Sequence, residues 1–96
     1  MERIYLSNIV EDTYTNASGY ALMIVLKAYL DKGVKVELSF KDATPTSSSF
    51  LNSSIGELIE NFGFDKFKKL VSLRELSKTQ ANTLRNYFTS CGLMSN

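Results

Sequence analysis

The clearest alternation along the chain runs from Val34 to Phe40, Val-Lys-Val-Glu-Leu-Ser-Phe, with Val34, Val36, Leu38 and Phe40 on one face. Period-two apolar spacing predicts a half-buried strand. Upstream, Tyr20 to Leu30 places Leu22, Val25, Leu26 and Tyr29 at helical spacing, with Ala21, Ile24 and Ala28 beside them. So wide an apolar arc predicts a largely buried helix. Asn16 or Ser18 is positioned to cap it, and Gly33 follows it at the place where a left-handed residue ends a helix. Ile4 to Val10, rich in β-branched and aromatic residues, reads as a first strand. Ser48 to Phe62 reads as a second helix with Leu51, Ile55, Leu58, Ile59 and Phe62 as its core stripe, ended by Asn61, Gly63 or both. Phe64 to Leu76 is open to two readings, a helical one through Phe64, Phe67, Leu70 and Val71, and a strand at Lys69 to Leu73. A short turn followed by that strand keeps strands and helices alternating, and is the reading adopted. Ser77-Lys78-Thr79-Gln80 matches a capping box, so a last helix is expected from Lys78 to Ser90 with Ala81, Leu84, Tyr87 and Phe88 inward. The β-α-β-α-β-α order predicts an α/β domain, a small sheet with helices packed on it and right-handed parallel crossovers.

The chain has 96 residues, which suits one domain spanning residues 1–96. Its formal net charge is +1, which argues against a nucleic-acid partner, whose binding proteins present a strongly basic face. There is no histidine and one cysteine. That removes the commonest general base near neutral pH and any Ser-His or Cys-His nucleophile pair. A zinc site of ordinary composition is not expected either, nor is any cofactor or metal. Cys91 reads as inert packing. The start of the chain lacks a basic segment followed by an apolar one, and the apolar run from Tyr20 stops at Lys27. No signal peptide and no membrane span are therefore expected, and the expected setting is cytoplasmic.

The distinctive stretch is Thr44-Pro45-Thr46-Ser47-Ser48-Ser49-Phe50-Leu51-Asn52-Ser53-Ser54. Serines that follow a strand and open a helix have two uses. They cap the free amides of the first turn, or they offer hydroxyls for phosphorylation or anion binding at the positive end of the helix dipole. The stretch lacks the glycines and lysine of a phosphate-cradling loop and has no base beside any serine. Further along, Ser49, Ser53, Gly56 and Glu60 share a face away from Leu51. Small residues there suit either a close-packed partner or a plain solvated surface. Glu11-Asp12 with Glu57 and Glu60 reads as surface charge. Lys66, Lys68, Lys69, Arg74 and Lys78 form a mildly basic segment.

The stretch VKVELSFKDATPTSSSFLNSSIGEL resembles the STAS-like domain of unknown function. The resemblance rests on Leu38-Ser39-Phe40, Ser48-Ser49-Phe50-Leu51 and Gly56-Glu57-Leu58, which match an apolar strand ending in an aromatic residue, a helix start and a later Gly-x-Leu. That family is in turn similar to STAS domains of anti-sigma-factor antagonists. These bind a histidine-kinase-like ATPase that phosphorylates a serine at the start of the second helix. On that pattern Asp-Ser-Ser-Gly-Leu corresponds to Ser47-Ser48-Ser49-Phe50-Leu51. The resemblance thus implies a non-catalytic regulatory module with Ser48 as phospho-acceptor and Ser49 and Ser47 beside it. Partner contacts are expected at Thr46, Phe50, Asn52, Ser53, Gly56 and Glu60. The chain departs from the pattern at Ser47, where it has no acid, at Phe50, where it has no glycine, and at Ser39, where the STAS-like family often has Asp. The rival reading is a small anion- or nucleotide-binding protein, or an enzyme, using the same helix start.

Overall fold

The computed structural model describes residues 2–93. Three parallel strands, β1 (Glu2–Tyr5), β2 (Val36–Ser39) and β3 (Val71–Arg74), lie in the order β1-β2-β3. The register sets Glu2 beside Val36 and Val36 beside Val71, with Ile4, Leu38 and Leu73 in the next row on that face. In a parallel sheet, residues in one row point the same way, so these two rows make the core face. Val36, Leu38 and Val71 are buried there. The alternation read from Val34 to Phe40 is the alternation observed, though Val34 lies before the strand and is exposed.

The first strand ends earlier than its composition suggests. Leu6–Ile9 forms a helical turn, α1, closed by Val10 N–H to the Leu6 carbonyl at 3.2 Å. Leu6, Ile9 and Val10 fit a helical spacing as well as a strand, and burial of Leu6 in the core decides between them. Helix α2 (Asn16–Asp31) crosses from β1 to β2. Its cap is Thr15, whose hydroxyl accepts from Ser18 N–H, and not Asn16 or Ser18. Gly33 takes φ +68°, the left-handed ending expected of it.

The second crossover is helical over 48–62, in three consecutive pieces. These are α3 (Ser48–Leu51), a π-helical turn (Asn52–Gly56) and α4 (Glu57–Phe62). Ser54 supplies the local reason for the wider turn. Its buried hydroxyl donates to the Phe50 carbonyl at 2.7 Å, the acceptor that Ser54 N–H would otherwise take. After Gly63, the segment read as a short turn is a further helix, α5 (Phe64–Leu70), and β3 begins at Val71 instead of Lys69. Both readings of 64–76 are thus realised in succession, because Phe67 and Leu70 reach the core from a helix while Val71 reaches it from the sheet. Helix α6 (Lys78–Ser90) opens on the expected capping box, Ser77 with Gln80.

The opposite face of the sheet carries Arg3, Glu37 and Ser72 in one row and Tyr5, Ser39 and Arg74 in the next. Glu37 on the central strand takes ion pairs from Arg3 and Arg74 on its two neighbours, each at 3.2 Å. Arg3 also reaches Glu75 at 3.3 Å. Among the described residues, no helix is long and apolar enough to cross a membrane.

Candidate functional site

The segment from Phe40 to Ser47 delivers the chain from the end of β2 to the start of α3. Ala43 N–H bonds the Phe40 carbonyl at 3.0 Å, and Asp42 takes φ +63° to make the bend. The loop is then tied to the one before α2. Thr13 Oγ1 lies 2.6 Å from Thr44 Oγ1 and 2.9 Å from the Pro45 carbonyl, and Ser47 N–H donates to the Thr13 carbonyl at 3.1 Å. From the far side, Gln80 of α6 donates to the Ala43 carbonyl at 2.7 Å. A loop held from two directions fixes where α3 begins.

The three serines at that start have different duties. Ser47 is the N-cap: its hydroxyl accepts from Phe50 N–H at 3.1 Å and donates to the Tyr14 carbonyl at 2.8 Å. Ser48 and Ser49, the first two residues of the helix, are exposed. Thr46 is only 8% exposed, and Phe50 not at all. Phe50 therefore belongs to the core and Thr46 to the floor of the loop, both withdrawn from contact with another molecule. The reason at position 50 is volume: a phenylalanine at the start of this helix is stabilised by burial in the core, where it is fully covered. Among the described residues, Thr46 Oγ1 has no hydrogen-bond partner.

Past the first turn, the small residues serve the chain's own packing. A Cβ on Gly19 of α2 would lie 2.5 Å from the Phe50 carbonyl oxygen and 2.9 Å from Ser53 Cβ, so α2 and the second helix approach there as closely as glycine allows. Ser53 also donates to Asn16 Oδ1 at 3.1 Å. On the other flank, the Tyr87 hydroxyl stands against Gly56 and donates to Asn52 Oδ1 at 2.8 Å. The close approach read from Ser53 and Gly56 is thus made by α2 and α6, with both residues only half-buried. Ser49, Asn52 and Glu60 remain exposed along the same face, and Glu57 lies beside them. Grooves of about 510 Å³ run on each side, one toward Tyr87 of α6 and Cys91 just past its end, the other toward Tyr20 and Met23 of α2.

The site is acidic, and among the described residues no lysine or arginine lines either groove. Between Lys41 and Lys66 the sequence contains no lysine or arginine, while Glu57 and Glu60 project from the helix. Burial first, then the neighbouring Cys91, pushes the Tyr87 phenol up to about 12. Asp12, in the supporting loop, feels burial pushing its pKa up, but the amides of Thr15 and Tyr14 outweigh it and hold the carboxyl below its usual value. Among the described residues, no cluster of three or more His, Cys, Asp or Glu is placed to hold a metal. The π turn and the Gly19 contact went unread in the sequence. Gly19 reads as an ordinary helical residue and Ser54 as one of a run of serines, so neither signalled its role.

In comparisons with known proteins, the model of a family described as a STAS-like domain of unknown function matches residues 22–81. Neither the curated proteins nor the solved structures gave a match.

Proposed function

The chain belongs to the family of STAS-like domains of unknown function, and on that premise we propose that it is a non-catalytic module that docks a protein partner through the start and open face of its second helix. The observation that carries this reading is the division of labour among the serines. Ser47 and Ser54 spend their hydroxyls inside the domain, while Ser48 and Ser49 keep theirs at the surface. With Asn52 and Glu60 they form a polar strip between α2 and α6. The partner class that the STAS resemblance supplies is a histidine-kinase-like ATPase, with Ser48 as the residue it phosphorylates.

Phosphorylation there is a coherent switch. A phosphate adds about −1.5 to −2 charge. At the first turn, the free amides and helix dipole tolerate that charge, so the fold survives. No lysine or arginine between Asp42 and Asp65 is at hand to pair with it. A docked partner would have to desolvate the phosphate or meet it with repulsion, and would leave.

The test is capture of partners on the immobilised full chain, with Ser48→Asp and Glu60→Arg run in parallel and phosphate at residues 47–49 read by mass spectrometry. The expected result is a protein retained by the wild type and lost from both variants, unchanged circular dichroism, and phosphate on Ser48 when ATP is supplied. An identical retained set on all three proteins, or a Ser48→Asp chain that unfolds, would refute the proposal.

A further inference from the structure

We propose that the outer edge of β3 is a second docking site, which takes an extended acidic segment of another protein as an added strand. β3 ends the sheet, and among the described residues no strand lies beyond it. A groove of about 430 Å³ follows this edge and is lined by all four residues of the strand, Val71, Ser72, Leu73 and Arg74. Residues of both sheet faces line one groove only where the edge between them is open. The ladder to β2 sets which backbone groups face it. Phe40 N–H donates to the Arg74 carbonyl at 2.9 Å, and alternation along a parallel strand turns the carbonyl of Val71 and both polar groups of Leu73 the other way. The Val71 amide is already taken by the Phe67 carbonyl. Three backbone groups are thus presented to an incoming strand.

The walls of the groove select its chemistry. Phe64 and Phe67 from α5 and Phe88 from α6 give it an apolar floor for alternate side chains of an added strand. Among the described residues, the charged ones lining it are Lys68 and Arg74, both basic, with Arg74 shared with Glu37 at 3.2 Å and Lys68 in no ion pair. Lys68 Nζ is held 4.7 Å over the Phe64 ring. From Phe64 to Leu93 the chain has six lysines and arginines against two acidic residues, although its net charge is only +1. Lysine at a strand edge ordinarily guards against pairing with a second copy, and here two β3 edges would bring Lys68 and Arg74 against their like. The same charges admit a strand that alternates apolar side chains with Asp or Glu.

A phage-displayed library of random decapeptides, panned on the full chain, tests this. Enriched peptides are expected to alternate apolar residues with Asp or Glu. Synthetic copies, read by fluorescence anisotropy, are expected to bind about tenfold more weakly to Lys68→Glu, an exposed substitution that spares the core. N-methylation of alternate peptide amides is expected to abolish binding in one phase and spare it in the other, because an added strand bonds the edge through every second residue. Enrichment of basic peptides, no enrichment at all, indifference to Lys68→Glu, equal effects of the two methylation phases, or dimers of the chain joined through β3 would overturn the proposal.

Discussion

A methyl group at position 19 would lie 2.5 Å from the Phe50 carbonyl oxygen and 2.9 Å from Ser53 Cβ. Backbone cannot yield to that cheaply, so Gly19→Ala is expected to destabilise the domain by about 1–3 kcal/mol as an overpacking change. This outweighs the roughly 1 kcal/mol that alanine gains over glycine inside a helix. Urea denaturation measures it, and a neutral result would mean that the two helices are not in contact there. Thr46→Val has the opposite expectation. Among the described residues the hydroxyl is buried and has no partner, so removing it at nearly constant shape should leave stability unchanged or raise it by about 1 kcal/mol. Tyr87 makes stability depend on alkaline pH. Its phenol is raised to about 12 in the fold, above the roughly 10 of an unfolded chain. A raised value means that the folded state favours the protonated phenol. Its contribution is therefore whole below about pH 10 and fades as pH climbs to the folded value. The wild type should lose stability across that window more steeply than Tyr87→Phe. None of these three residues announced its role in sequence: Gly19 sits in an ordinary helical pattern, the burial of Thr46 depends on how its loop folds, and the groups that the Tyr87 hydroxyl meets, Asn52 and Gly56, lie on another element.

At the scale of elements, the strongest local signals were sufficient. The capping box at Ser77 and Gln80, the left-handed Gly33 and the alternation in β2 are each contained within a few neighbouring residues. They need no tertiary information. Where the reading failed, the same residues satisfied two periods. Leu6, Ile9 and Val10 suit a strand or a turn of helix, and Lys69 to Leu73 straddles the end of α5 and the start of β3. Only the position of the core decides such cases. The π turn was illegible for a related reason, since it depends on the Ser54 hydroxyl choosing the Phe50 carbonyl. The capping box also does more than its motif implies. Gln80 accepts from Ser77 N–H at 2.8 Å and donates to the Ala43 carbonyl at 2.7 Å, joining α6 to the loop that leads into α3. Ser77→Ala should cost about 1 kcal/mol, the usual loss of an N-cap. Gln80→Ala should cost more, and hydrogen exchange should show the 41–47 loop opening in that variant alone. Equal effects of the two would reduce Gln80 to a cap.

Across the whole molecule, helix packing covers one face of the sheet and charge covers the other. Parallel sheets are nearly always buried on both faces, so the ion network over β1, β2 and β3 stands where a second helical layer would be. Glu37 is its hub, because the central strand alone neighbours both edges. Hydrogen bonding from Arg3 is the largest influence on its carboxyl; burial opposes it, and the charge of Arg3 and the contacts with Arg74 complete a net lowering of its pKa. A lowered carboxylate stabilises the fold at pH values above its unfolded value and loses that contribution as pH falls through the folded one. The partners are exposed, with 44% of Arg3 and 51% of Arg74 accessible, so salt should screen the effect. Thermal melts are therefore expected to fall on acidification below about pH 4.5, the region of free glutamate. Glu37→Gln should flatten that fall, and the difference between the two proteins should shrink in 1 M salt. If Glu37→Gln melts along the same acid limb as the wild type, the network is an arrangement of surface charges with no part in joining the strands. The open face would then need another explanation.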